Sequence, residues 1–106
     1  MILNKKTLDF IINSPKIKEI YPIIDNVETD VIWDNDIENP FYKIHLVFYL
    51  NIPIKSTREM YDKNFDPHYL IDEYLIKYLN MVGVERRDIS QIYIQVYDSN
   101  GELIYG

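Results

Sequence analysis

The stretch FYKIHLVFYLNIP, residues 41–53, decides the fold. Taken every second residue, it reads Tyr42, Ile44, Leu46, Phe48, Leu50 and Ile52 on one side. Phe41, Lys43, His45, Val47, Tyr49 and Asn51 fall on the other. Successive β-strand side chains point to opposite faces, so a period of two marks a strand. The even-numbered side carries no charge and forms the floor of a core. Each large apolar side chain buried there contributes about 1.5–3 kcal/mol, before chain entropy is subtracted.

The segment before it has the same period. Val27, Thr29, Val31 and Trp33 alternate with Glu28, Asp30, Ile32 and Asp34, which predicts a strand over 23–33. The turn-rich residues 34–40 join the two strands as a hairpin. Both apolar sides must face one core, so odd positions of the first strand must oppose even positions of the second. Trp33 opposite Tyr42 meets that condition. It also sets Asp30 opposite His45, a cross-strand charge pair, and Ile32 opposite Lys43.

At the N-terminal side, Asn4 caps a helix over 5–13 with Leu8, Ile11 and Ile12 on one side. Ser14-Pro15 interrupts that helix and starts a second piece carrying Ile17, Ile20 and Tyr21, which Pro22 stops. Residues 53–65 show no clear period and read as a surface connection. Asp66-Pro67 then opens a helix to Val82, with Gly83 as its left-handed cap. Its expected buried stripe is Ile71, Tyr74, Leu75, Tyr78 and Val82. Tyr69 and Ile76 fall on the far side, where a plain surface helix carries charge. Residues 91–97 form a third strand, Asp98-Ser99-Asn100-Gly101 a turn, and 102–105 a short fourth strand with Leu103 and Tyr105 inward.

The expected architecture is therefore α+β, in the order α-β-β-α-β-β, as a single domain over 1–106. Two hairpins build a four-stranded, mainly antiparallel sheet. The N-terminal helical segment and the 67–82 helix cover one face. Strand order stays open.

Composition narrows the function classes. The 106 residues suit one core, and 47% hydrophobic with 26% charged residues is the range of a folded protein. There is no cysteine, hence no disulfide, thiolate metal site or cysteine nucleophile. No apolar run nears membrane-spanning length, and the start lacks a signal-peptide pattern. These features point to a soluble, cytoplasmic protein. The net charge of −6 disfavours direct binding to nucleic acid or to an anionic membrane. The chain has no alanine but many Ile, Asn, Lys and Tyr residues, an AT-rich coding bias that suits a bacterial, viral or phage gene. For a viral gene the compartment is the host cytoplasm.

Candidate chemistry is sparse. Asp34, Asp36 and Glu38 have the spacing that opens a calcium loop, but Asn39-Pro40 stands where a glycine is required and His45 where the twelfth-position acid belongs. A solvated hairpin loop is the simpler reading. His45 with Asp30 could act as a general base, yet no serine in a glycine elbow and no oxyanion loop accompany it. His68 has no second ligand near it in sequence. Three glycines cannot supply a phosphate-cradling loop. No cofactor, metal or catalytic residue is expected.

Two surface features remain. Ten tyrosines are many for a chain of this length, and tyrosine favours contact surfaces. Tyr49, Tyr93, Tyr97, Tyr69, Ile76 and Trp33 are the candidate partner-binding residues. Asp25, Glu28, Asp30, Asp34, Asp36 and Glu38 form an acidic stretch with no Lys or Arg among them. The expected function is a small acidic non-enzymatic interaction or assembly protein. Its partner is a protein, self or host, and it could form a homo-oligomer. The alternative is an acidic inhibitor that occupies a partner's nucleic-acid-binding groove. A weaker alternative is a metal-dependent enzyme using Asp34, Asp36 and Glu38.

Overall fold

The computed structural model describes residues 3–34 and 41–106, with Asp34 described through its backbone alone. Two short helices open the chain. Asn4 caps α1 (Lys5–Ile12), its Oδ1 accepting from Thr7 N–H at 2.9 Å. Ser14 caps α2 (Pro15–Ile20), with Pro15 in the first turn. Leu8, Ile11, Ile12 and Ile17 are buried, and Tyr21 just beyond α2 joins them, whereas Ile20 is exposed.

Strands β1 (Ile24–Asp34) and β2 (Phe41–Leu50) pair antiparallel with Trp33 opposite Tyr42, Ile32 opposite Lys43 and Asp30 opposite His45. The parity argument thus fixes the register. Along β2 burial alternates strictly, with Tyr42, Ile44, Leu46, Phe48 and Leu50 all inward. Strand β3 (Ile89–Tyr97) lies parallel to β2, with Leu46 beside Ile94 and Phe48 beside Val96. Strand β4 (Leu103–Tyr105) closes a second hairpin against Val96 and Tyr97. The order is β1-β2-β3-β4, so the sheet is mixed: its two hairpins are antiparallel and the junction between them is parallel. A parallel neighbour needs a long crossover, and residues 51–88 supply it.

That crossover corrects the reading of 53–65 as a surface connection. It contains α3 (Thr57–Asp62), capped by Ser56, whose Oγ accepts from Glu59 N–H at 3.2 Å. Glu59 reaches back to Lys55 N–H at 2.8 Å. Beyond the C-cap Lys63, Asn64 takes a positive φ of 60°. Met60 and Phe65 are fully buried, and the Phe65 ring meets Phe48 edge-on at 5.4 Å and Tyr21 at 5.8 Å.

The main helix, α4, runs from Pro67–Leu70 through a π turn at Ile71–Leu75 to Ile76–Met81. Its buried residues are Pro67, Leu70, Ile71, Leu75 and Leu79: Ile71 and Leu75 are buried as expected, whereas Tyr74 and Tyr78 are half-buried and Val82 is exposed. A π turn holds more residues per turn than the 3.6 of an α-helix, so later positions lag in angle. Leu79 swings into the core, Tyr78 becomes half-buried and Val82 is 39% exposed. Gly83, at φ 86°, ends the helix as expected, with Val84 N–H returning to Leu79 C=O at 2.9 Å. Leu103 is also corrected: paired beside Tyr97, it is half exposed, while Ile104 and Tyr105 pack against the core.

Candidate functional surface

The helices cover one face of the sheet, and the odd-numbered side chains of β2 line the other. Neighbouring strands bring His45 beside Tyr93, Val47 beside Gln95 and Tyr49 beside Tyr97. Tyr49 and Tyr97 stack with centroids 5.7 Å apart and planes 17° from parallel. His45 meets Tyr93 edge-on at 6.4 Å. His45 Nε2–H donates to Gln95 Oε1 at 3.1 Å, and the Tyr93 hydroxyl donates to Gln91 Oε1 at 2.9 Å. The face is an aromatic and amide surface whose side chains are held by one another.

Acids border it. Glu28 and Asp30 project from β1 and are exposed, and Asp25 is exposed at the strand's start. Partial burial and the nearby Glu28 carboxylate push the Tyr49 phenol above its usual pKa. At one end a shallow recess of about 640 Å³ is lined by Asp25, Glu28, Tyr49, Asn51 and Asp98. At the other, Asp30, Ile32, His45, Tyr93, Ile94 and Gly106 line a more apolar recess of about 500 Å³.

Among the described residues, Asp98 is the one buried carboxylate. Its Oδ2 accepts from Ile54 N–H at 3.0 Å, and its Oδ1 from Asn100 and Glu102 N–H at 2.9 and 3.0 Å. The Ile54 N–H first, then those of Glu102 and Asn100, outweigh burial and hold its pKa below the usual carboxylate range. With three backbone donors engaged it is an anchor for the β3–β4 turn, not a base. Gly101, at φ 78°, lets that turn close.

The candidate residues scatter over the molecule. Tyr49, Tyr93 and Tyr97 share the open face. Trp33 lies on the covered side, half-buried, with its ring 4.6 Å from that of Tyr42. Tyr69 is exposed on α4 and meets Tyr74 edge-on at 6.5 Å. Ile76 packs against the core, so the far side of α4 is partly covered. Of the acidic stretch, Asp36 and Glu38 lie outside the described residues, as does the Asp34 side chain, so the calcium-like spacing falls there too. Among the described residues no group of three or more His, Asp or Glu side chains is placed to hold a metal ion. His68 Nε2 bonds the Tyr105 hydroxyl, tying the start of α4 to β4.

Two features escaped the sequence reading. Phe10, on the outer side of α1, is 81% exposed and lines an apolar groove of about 400 Å³ with Pro15 and Tyr78. The helical pattern of Leu8, Ile11 and Ile12 gave no reason to ask about it. Asn13, the last residue of the expected first helix, is the C-cap of α1, and its carboxamide bonds both Asp9 C=O of the helix and Val27 of β1. A polar residue at a helix end was the available signal.

No protein-family model, curated protein or solved structure matches this chain. No helix of the described residues is long and apolar enough to cross a membrane. The fold is of the α+β class, and among the described residues helices cover one face of the sheet and not the other.

Proposed function

We propose that this is a non-enzymatic interaction protein that engages a protein partner through the bare sheet face. The observation that carries the reading is the ordered cluster of Tyr49, Tyr97, Tyr93 and His45 beside Glu28 and Asp30. Tyrosines held by neighbours lose little entropy on binding, which suits them to be contact anchors. The acids select a partner with Lys or Arg, whose cations also favour tyrosine ring faces. The test uses wild type and a Tyr49→Ala/Tyr93→Ala/Tyr97→Ala variant as matched baits in a lysate of the source cell. The reading expects a partner held by wild type and lost from the variant, with affinity lower by about tenfold or more. Equal capture by both baits contradicts it.

The second reading, occlusion of a nucleic-acid-binding groove, draws on exposed Asp25, Glu28 and Asp30 beside the same tyrosines. It adds one expectation. Duplex DNA and raised salt should both release the captured partner.

A further inference from the structure

The groove beside Phe10 follows from how the first helices are broken and how α4 is wound. Leu8, Ile11 and Ile12 take the core side of α1, which turns Phe10 outward, 81% exposed. Ser14 then starts α2, its Oγ accepting from Ile17 N–H at 3.4 Å, with Pro15 in the first turn. The break leaves a notch between Phe10 and Pro15. Across it stands Tyr78, half-buried after the π turn of α4. These side chains and Ile11 enclose an apolar groove of about 400 Å³. One turn beyond Tyr78, on the same side of α4, Met81 is 77% exposed and Val82 is exposed beside it. Single exposed apolar residues are ordinary, but an apolar groove continued by several of them marks a contact surface. The charge around the groove has one prevailing sign. Lys16 is the one charged residue among those that line it. Lys6 stands one turn before Phe10, and Lys77 precedes Tyr78; all three lysines are exposed. Among the described residues, no carboxylate pairs with any of them. Asp9 of α1 is engaged by Lys5 and Thr29, which leaves Glu19, one turn beyond Lys16, as the nearby exposed acid.

We propose that this groove docks an acidic amphipathic helix of a partner protein. Its large apolar side chains insert between Phe10 and Tyr78, and its Asp or Glu residues meet Lys6, Lys16 and Lys77. Charge complementarity decides the occupant. The recess at Tyr49 is lined by Asp25, Glu28 and Asp98, whereas this groove is lined by no carboxylate. A basic segment therefore finds no partner here, and an acidic one finds unpaired cations. The same reasoning sets a peptide above an anionic membrane. A peptide seated within a Debye length, about 8 Å at physiological salt, meets the local lysines. An extended anionic surface also meets the net charge of −6 that the whole chain carries. A concave groove, moreover, receives separate side chains. The site lies in the helical layer and selects the charge opposite to that selected by the bare sheet face, so it stands without any reading of that face.

The test uses two synthetic peptides of one apolar pattern, Leu or Trp at i, i+3, i+4 and i+7. The remaining positions are Glu in one and Lys in the other. Each is titrated into the isotopically labelled protein and followed by NMR. The glutamate peptide should move the signals of Phe10, Lys16 and Tyr78 with a Kd below about 1 mM, and added salt should weaken it. The lysine peptide should leave those signals in place, whatever it does at Tyr93 and Gln95. Phe10→Ala should weaken the glutamate peptide about tenfold or more, and a residue so exposed can be changed without unfolding the chain. Lys6→Glu/Lys16→Glu/Lys77→Glu should reverse the preference between the peptides, which also shows that the groove is intact. Tyr49→Ala/Tyr93→Ala/Tyr97→Ala should bind the glutamate peptide as wild type does, so this proposal and the one for the sheet face fail separately. The proposal is overturned if the glutamate peptide leaves the groove signals unmoved, if both peptides move them equally, or if the charge-reversed variant keeps the wild-type preference. Sedimentation with phosphatidylglycerol vesicles that Phe10→Ala abolishes overturns it in favour of a membrane surface. A mass that doubles from 12.8 kDa with concentration in wild type but not in Phe10→Ala overturns it in favour of a second copy.

Discussion

Strands β1 and β3 each present an outward row of backbone groups, and the chain handles them in opposite ways. Helix α1 runs beside β1. Its Asn13 supplies Val27 with one rung of imitation pairing, and its Asp9 accepts from the Thr29 hydroxyl. Acids on the open side of β1 repel further strands. Among the described residues, none of this reaches β3 between Gln91 and Tyr93, while Gly106 lies against Ile94 C=O. The difference teaches that the sheet's polarity of use lies in side chains, because both edges have equivalent backbones.

Changes to shared scaffold should have the largest effects. Phe65 packs on β2 through Phe48 and on the end of α2 through Tyr21. Phe65→Ala should cost about 3–5 kcal/mol in urea unfolding. A loss below about 1 kcal/mol would mean that the crossover is not packed as described.

Next comes the cover of β1. Asn13→Ala leaves the Val27 N–H and C=O without their partner and should cost about 1–3 kcal/mol. It should also expose this edge, so the variant should aggregate more readily than wild type. An unchanged denaturation curve would erase the contrast between the two edges.

The pH dependence follows from groups on the scaffold. Asp98 has a lowered pKa, so its contribution is complete above the unfolded value of about 3.9 and is lost as pH falls through the folded one. For Asp9, Lys5 and the Thr29 hydroxyl outweigh burial and lower the pKa, so it acts in the same direction. Burial, then Tyr74, Tyr69, Asp66 and Glu73, push Tyr21 up to about 12. Its stabilising effect holds below the unfolded pKa of about 10 and fades as pH rises toward the folded value. Asp98→Asn should flatten the acid limb of the curve, measured as unfolding midpoint against pH. A limb as steep as in wild type would show that other carboxylates govern it.

The smallest expected effect is at the bare edge itself. Tyr93 is 54% exposed, so Tyr93→Lys should change monomer stability by no more than about 0.5 kcal/mol. A larger loss, measured in dilute solution, would show that Tyr93 supports the fold as well as lining its surface.

Much of this scaffold was legible in the sequence, and the reasons are local. The β1–β2 register followed because strand parity and one shared core leave little freedom around Trp33 and Tyr42. The caps at Asn4, Ser14 and Asp66 and the turn at Gly101 were legible because each depends on neighbouring residues alone. Helix α3 was missed although Ser56-Thr57-Arg58-Glu59 has the spacing of a capping box. The burial pattern of α4 was misphased because a π turn is set by what the helix packs on. The parallel junction of β2 with β3 joins residues about fifty apart, and nothing local encodes it. The open tyrosines could be assigned to one face by parity, but the bare edge needed strand order and the reach of Asn13.

The measurement that tests this account most directly is amide hydrogen exchange along β1 and β3 in dilute solution. Val27 should be protected by Asn13. In β3, Tyr93 and Gln95 should exchange slowly, while Ile92 exchanges fast. If Ile92 is as slow as Val27, the two edges are covered alike and the account is wrong.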